Sequence, residues 1–329
     1  MSEELRPKAD AGPPGPELER AFGRSSRRLF GLCYRMTGSA LDAEDLVQET
    51  FARALARPPA DTSRDWEPWL VRVAVNLARD HLRRRRRRRY VGPWLPEPVE
   101  DSELFDPIDP PAQTSARYEW IESVSLAFLV ALEALTPGQR AVLLLRDVFE
   151  YSGRETADVL GISEVAVRQT LRRARRAMRE YDQRRAPVTP EVRERTREHL
   201  QRFLAGLATG DLDAIERLLA EGVVSLTDSA GEHFAARIPV HGRSRVARLY
   251  RNLPRSAGAL PRVELREING LPALVGEVAS PRPGWPRRFV TSVALDPKGQ
   301  VRLIATVTTP AKLARIAPPA AAKSLRARP

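Results

Sequence analysis

Apolar residues recur at three- and four-residue intervals over roughly the first two thirds of the chain and fall into short, strand-like runs beyond it. The first helical stripe is Leu29, Leu32, Cys33 and Met36, closed by Thr37-Gly38-Ser39. A second starts at Asp42 and carries Val47, Phe51 and Leu55 inward. Asp42, Glu44, Asp45 and Glu49 stand in its first turns, where the helix dipole favours carboxylates. These acids face solvent or a partner. A third helix turns Trp69, Leu70, Val73, Ala74 and Leu77 inward and leaves Arg72, Asn76, Arg79, Asp80 and Arg83 on its polar side. It runs into seven consecutive arginines, residues 83–89, so that Arg83 and Arg84 open a block of like charge. Such a block repels itself within a helix and is tolerable mainly beside phosphate.

Residues 90–117 are rich in proline and acid and cannot stay helical for long, which makes them a linker. Within it Trp94-Leu95-Pro96 is too apolar for a passive spacer and predicts docking on a surface. Helical spacing resumes with Tyr118, Ile121, Val124, Phe128, Leu132 and Leu135. Thr136-Pro137-Gly138-Gln139 then supplies an N-cap, a first-turn proline and a capping-box glutamine for a helix through Leu145. From Tyr151 to Met178 the sequence predicts two helices joined by a tight turn. Ser152 and Glu155 form a capping box, Gly161 suits a left-handed turn, and Ser163 caps a second helix that points Val167 and Leu171 inward. Ala157, Gly161 and Val167 supply the small residue, turn residue and core anchor of a helix-turn-helix. Arg168, Gln169, Arg172, Arg173, Arg175 and Arg176 occupy the outward face of the second helix, where they can donate to phosphates or to guanine and adenine edges.

After the Pro187 to Pro190 break, helices over Val192 to Leu207 and Leu212 to Ala220 precede strand-like runs at 223–229, 263–268, 272–278, 287–296 and 301–308. Asp296-Pro297-Lys298-Gly299 reads as a hairpin turn. Helices followed by a meander predict an α+β domain with its helices on one face of a curved sheet. The expected organisation is a tail (1–20), a helical domain (21–90), a linker (91–117), a second helical domain (118–186), the α+β domain (187–316) and a short tail (317–329).

The 329 residues carry a formal charge of +12, which favours a polyanionic partner, although an acidic membrane surface would satisfy the same charge. No apolar run is long enough to span a bilayer and the N-terminus lacks the apolar core of a signal peptide, so the expected location is the cytoplasm. One cysteine, Cys33, excludes an internal disulfide, and four scattered histidines offer no ligand spacing. Cys33 reads as a core thiol, and neither metal nor cofactor is expected.

The two helical domains resemble bacterial sigma factors of the extracytoplasmic-function group, the promoter-specificity subunits of RNA polymerase. The stretch Asp42 to Leu55 resembles the family's polymerase-binding helix, and Trp69 onward resembles its −10 recognition and melting helix. The Tyr151 to Met178 stretch is similar to its −35 reader. The resemblance implies that Asp42, Glu44, Asp45, Gln48 and Glu49 meet the clamp helices of the polymerase β′ subunit. It also implies that Asn76, Asp80, Arg83 and Arg84, with the loop from Pro58 to Asp65, hold the opened −10 strand. Residues 190 to about 316 resemble the SnoaL-like cone fold, which a sigma-factor subgroup carries as a C-terminal extension. Trp94-Leu95-Pro96-Glu97-Pro98 and Arg168-Gln169 are that subgroup's hallmarks. Where the subgroup has a glycine-rich Asp-Gly-Gly-Gly turn, this chain has Asp228-Ser229-Ala230-Gly231, and its final Asn-Pro-Asp-Lys-Leu becomes Thr309-Pro310-Ala311-Lys312-Leu313. These changes bear on the docking expected of Trp94, Leu95 and Pro96 against the extension through Asp228 and Lys312. The implied fold is thus two all-α sigma domains followed by an α+β SnoaL-like domain that regulates them. No separate anti-sigma protein is then needed, and a small-molecule ligand of the extension is possible.

Two other readings compete. Asp228 could act as a general base in a cone-shaped pocket, but a strand-end Asp beside Ser229 and Gly231 more often forms a turn, and no second acid or oxyanion donor accompanies it. A ligand-responsive repressor would also use a helix-turn-helix. It would have no need of the acidic helix from Asp42 to Leu55.

Overall fold

The computed structural model describes residues 16–59, 65–85, 90–104, 119–257 and 262–320. The tail before residue 16, residues 60–64 of the loop expected at the −10 element, arginines 86–89, linker residues 105–118 and the tail beyond residue 320 lie outside the described residues.

Three helices form the first module: α1 (Pro16–Thr37), α2 (Ala40–Ala56) and α3 (Glu67–Arg85). Gly38 takes φ +69° between α1 and α2, and the Ser39 side chain caps α2 by accepting from the Asp42 amide at 3.1 Å. The inner stripe of α2 is shifted from the expected one: Leu46, Val47, Thr50, Phe51 and Ala54 are buried, whereas Leu55 is 43% exposed. A stripe repeating every 3.6 residues drifts off a strict four-residue spacing, so Leu55 rotates out of the core.

Past a short linker helix α4 (Asp101–Leu104), the second module holds α5 (Leu126–Leu132), α6 (Pro137–Asp147), α7 (Gly153–Leu160), α8 (Glu164–Ala177) and α9 (Arg179–Arg184). The single helix expected from Tyr118 does not form. Residues Glu122–Val124 make one 3₁₀ turn, Ser125 caps α5 by accepting from the Phe128 amide, and Ile121 is exposed. Thr136 with Gln139 and Ser152 with Glu155 both close reciprocal capping boxes, and Gly161 ends α7 at φ 65°, ψ 40°. The helix-turn-helix therefore rests on local chemistry written in the sequence.

The third part has α10 (Pro190–Thr209), α11 (Leu212–Leu218), β1 (Leu219–Asp228), β2 (Val240–His241), α12 (Arg243–Ala257), β3 (Arg262–Ile268), β4 (Leu271–Glu277), β5 (Arg288–Leu295) and β6 (Val301–Val307). Its sheet runs β2-β1-β6-β5-β4-β3, antiparallel throughout except for the parallel β1–β6 pair. The expected meander accounts for β3 to β6 only. Register shifts in β1 and β5 bend the sheet. Helix α12 was not anticipated, because five arginines in its fifteen residues obscure the apolar stripe of Val246, Ala247 and Tyr250. On one face of the sheet α10, α11 and α12 close over Val223, Leu274, Val293 and Ile304. Against the other face lie Leu95 of the linker, Leu126 of α5, and Leu313 and Ile316 beyond β6.

The two helical modules share one continuous apolar core, with α1 and α3 packed on α6 and α3 also on α7. Buried arginines stitch it. Arg140 donates to the Met36 and Leu132 carbonyls at 2.7 Å each and pairs with Glu133 at 2.7 Å, while Arg35 donates to Ser123 and the Trp120 carbonyl. Arg85 reaches across with one guanidinium nitrogen to both Glu133 oxygens (2.9 Å each) and with another to the Thr37 carbonyl. Arg85, read as part of the phosphate-facing run, thus turns inward instead.

Burial works against the charge on Glu133, but Arg140 and Arg85 outweigh it and hold the carboxyl below its usual 4.5. Protons therefore bind the unfolded chain first, so this contribution is present in full above about pH 4.5 and is lost as the pH falls through the depressed value. Glu133→Gln should destabilise the protein near pH 7, with the difference from the parent shrinking as the pH drops below about 4.5. Denaturant melts across pH 3 to 7 measure this; a pH-independent difference would contradict the assignment.

Candidate nucleic-acid and partner interfaces

Helix α8 anchors itself with Val167 and Ala174, which are buried, and Leu171, which is partly so. That leaves Arg168, Gln169, Arg172, Arg173 and Arg176 exposed, and among the described residues none of these side chains has an intramolecular partner. Arg175 behaves differently. Its guanidinium makes a bidentate pair with the buried Asp147 at the end of α6 (2.6 and 2.9 Å), so it orients α8 rather than projecting with the others. Sequence spacing could not separate it from Arg176, because Asp147 lies 28 residues away. Val165, 52% exposed in the first turn of α8, joins the same open surface and was missed as an apolar residue in a helix.

On α3 the side chains of Arg72, Asn76, Asp80, Arg83 and Arg84 are exposed. Asn76 accepts from Arg79 at 3.2 Å, and Asp80 pairs with Arg83 at 2.9 Å. The expected acidic face of α2 divides in two. Asp42 is half-buried and receives His81 of α3 at 3.2 Å; burial opposes its charge, yet the His81 contact holds the carboxyl below its ordinary range. Glu44 pairs with Arg315, which lies beyond β6, and Glu49 pairs with Arg53 one turn on. A carboxylate face free of internal basic partners is therefore limited to Asp45, which, like Gln48, is exposed without a partner among the described residues. Leu41, 62% exposed, extends this stripe toward the start of the helix.

The described part of the linker, residues 90–104, is a strap fastened by specific polar contacts. Asp228, fully buried at the end of β1, accepts from the Leu95 amide (2.8 Å) and Lys312 Nζ (2.7 Å) through one oxygen, and from Tyr90 (2.6 Å) and Thr309 (3.0 Å) through the other. Lys312 also donates to the Leu95 carbonyl, and its ammonium lies 4.3 Å from the Trp94 ring centroid, with Arg85 at 4.1 Å from the same centroid. Burial lowers the Lys312 pKa while Asp228 opposes the shift, and burial together with Asp228 pushes the Tyr90 hydroxyl up. Trp94 and Pro96 lie against Gly38, where a Cβ would meet Trp94 at 2.5 Å.

Further along the strap, the Glu97 carboxylate accepts from the Ala40 amide (2.8 Å) and Ser39, capping α2 from outside, while Tyr34 donates to the Glu97 carbonyl. Asn269, in the turn between β3 and β4 at φ 56°, reaches all the other parts. Its amide nitrogens serve Tyr34 of α1 (2.6 Å), the Val124 carbonyl of the second module (3.0 Å) and the Val99 carbonyl of the linker (2.9 Å). Sequence reasoning missed Asn269 because Asn-Gly reads first as a turn former. The departures from the subgroup's turn sequences leave the docking intact, since Asp228 and Lys312, the residues that make it, are both kept, and Ala230 takes the positive φ (50°) itself.

Among the described residues no helix is long and apolar enough to cross a membrane. The family model for sigma-70 region 2 matches residues 21–88 and that for sigma-70 region 4 matches residues 125–178. The sigma factor SigJ of Mycobacterium tuberculosis is 35% identical over 267 residues, covering 80% of this chain and 81% of that protein. SigG of the same species is 37% identical over 237 residues, 64% of this chain and 61% of SigG. The crystal structure of M. tuberculosis SigJ superposes with a TM-score of 0.67 at 28% identity, over 90% of this chain and 98% of that one. The exposed basic helix α8, the polar face of α3 and these matches agree: the chain belongs to the extracytoplasmic-function RNA polymerase sigma factors, which direct promoter recognition and the initiation of transcription.

Proposed function

We propose that this sigma factor is held closed by its own C-terminal domain and opens only on RNA polymerase. The observation that carries the reading is the shared core: α3, expected to hold the −10 strand, packs directly on α7, the neighbour of the −35 reader α8. Helix axes in contact are 8–10 Å apart, so the two reading helices sit within about 20 Å of each other. Promoter elements near −10 and −35 lie about two duplex turns apart, roughly 70 Å. The closed arrangement cannot span both, so the modules must separate before they read a promoter.

In this reading Leu41, Asp45, Gln48 and Glu49 meet the β′ clamp helices, and Glu44 joins them once Arg315 lets go. Asn76, Asp80, Arg83 and Arg84 hold the opened −10 strand, with polar edges for a flipped base and cations for its backbone. Arg168, Gln169, Arg172 and Arg173 read the −35 duplex, with Val165 placed for a thymine methyl and Arg176 for phosphate. The Asp228–Lys312 strap takes the place of a separate anti-sigma protein. Asp228 serves this strap and not catalysis, because its carboxylate is occupied by linker and turn donors.

Removing one member of a buried ion pair costs about 3–5 kcal/mol. Lys312→Ala should therefore loosen the strap, lengthen the distance between dyes placed on α1 and α8, and raise affinity for core polymerase; an unchanged dye distance would refute the closed-state reading. Reversing charge with Asp45→Lys and Glu49→Lys together should abolish holoenzyme assembly in a pull-down, and undiminished capture would remove the assignment of α2. In transcription assays Arg172→Ala should relax discrimination at one −35 base by about 1–3 kcal/mol, while Arg176→Ala should weaken all promoters alike. Equal loss of discrimination from both would mean that α8 is seated differently.

A further inference from the structure

The face of the sheet opposite the strap encloses a cavity of about 320 Å³ beneath α10 and α12. Its walls are apolar, with Phe203, Leu207, Leu253, Leu274 and Phe289 among them, and no charged side chain lines it among the described residues. Its polar groups are uncharged: the Trp285 indole and the hydroxyls of Thr227, Tyr250, Thr291, Thr306 and Thr308, of which Tyr250, Thr306 and Thr291 form a row (3.4 and 3.0 Å) that continues to Ser225 behind the wall (3.1 Å). At the mouth Phe234, 66% exposed, rests over Gly284, whose carbonyl accepts from the Phe234 amide at 2.7 Å. We propose that this cavity is a binding site for an uncharged, mainly apolar small molecule with one hydrogen-bonding group, and that its occupancy is transmitted to the linker strap.

Three features select that ligand. A carboxylate, sulfonate or ammonium would be desolvated among apolar walls with no countercharge, which strongly disfavours it. A neutral hydroxyl or carbonyl finds donors and acceptors in the threonine and tyrosine row. The volume is about twice the ~150 Å³ that accepts one benzene ring, enough for roughly two rings or the equivalent length of chain.

Transmission follows from the alternation of side chains along a strand. Thr227 lines the cavity, and the next residue, Asp228, points through the opposite face to the strap. Thr308 lines the cavity, and Thr309 donates to Asp228. Thr308 itself donates to the Asp228 carbonyl from its amide at 2.8 Å and from its hydroxyl at 3.1 Å. The segment from 229 to 238 adds a second route, since Phe234, Ala235 and Ala236 cover the cavity while Gly231 packs on Val91 and Arg237 lies beside Gly92 in the linker. This second half of the proposal rests on the strap described above; the binding half does not.

The test uses the full chain with 2-naphthol as the neutral probe and naphthalene-2-sulfonate as its anionic counterpart. Calorimetry should show one saturable site for 2-naphthol, at least tenfold tighter than for the sulfonate. Ala236→Trp, which fills the cavity, and Phe234→Asp, which places a charge at its exposed mouth, should each weaken 2-naphthol at least tenfold. Absence of saturable binding, equal binding of the sulfonate, or binding that survives both substitutions would overturn the site. With the probe saturating, amide exchange at residues 90–99 should change by at least threefold. Unchanged exchange there would overturn the transmission while leaving the site, and unchanged dye distances in Lys312→Ala would instead count against the strap.

Discussion

A carboxylate sealed from water must be met by donors, and Asp228 is met by donors from two distant parts of the chain. The desolvation cost of such a group is several kcal/mol, offset here by an ammonium, two backbone amides (Leu95 and Ala230) and two hydroxyls. Because the Leu95 amide and the Tyr90 hydroxyl belong to the linker, the C-terminal domain buries this charge satisfactorily only with the linker in place. The linker in turn spends Glu97 on the first turn of α2 and Val99 on Asn269. Release at one point therefore leaves polar groups unpaired at others, and the three parts of the molecule act as a unit. That cooperativity suits the closed-to-open change proposed above.

The shared helical core obeys the same logic with weaker partners. Arg140, Arg85 and Glu133 are charge-assisted contacts at the seam between modules, and they serve carbonyls at the end of α1 that a helix alone leaves unsatisfied. A polymerase surface that draws the modules apart must supply alternatives to these bonds. Arg85 is telling, because once freed from Glu133 and Trp94 it would rejoin the basic run that follows it. In the proposed closed form one cation of that run is thus turned inward.

Much of this was legible in the sequence wherever local chemistry decides. Both capping boxes, Gly161 and the Asp296–Gly299 turn fell where short-range rules put them, and Trp94-Leu95-Pro96 docks as its apolarity required. Failures occurred where a distant residue overrules a local pattern. Arg175 and Arg176 are neighbours in one basic run, and the Asp147 pair that sets Arg175 apart comes from 28 residues away. Asp42 belongs to an acidic first turn by sequence and to His81 by fold. Leu55 slid off its stripe through helical drift, and α12 hid its apolar face among arginines. Asn269 carried no signal beyond a turn, since nothing in Asn-Gly announces three partners from other parts of the chain.

The order of the parts along the chain adds a temporal asymmetry. A ribosome makes both helical modules before β1 and Lys312, and at about 5–20 residues per second the interval up to Lys312 is on the order of ten seconds. For that interval the chain has both helical modules and lacks the Asp228–Lys312 pair that fastens the linker. If the C-terminal domain restrains the factor as proposed above, that restraint arrives last, so a burst of synthesis and a standing pool of the same size need not present the same amount of competent factor.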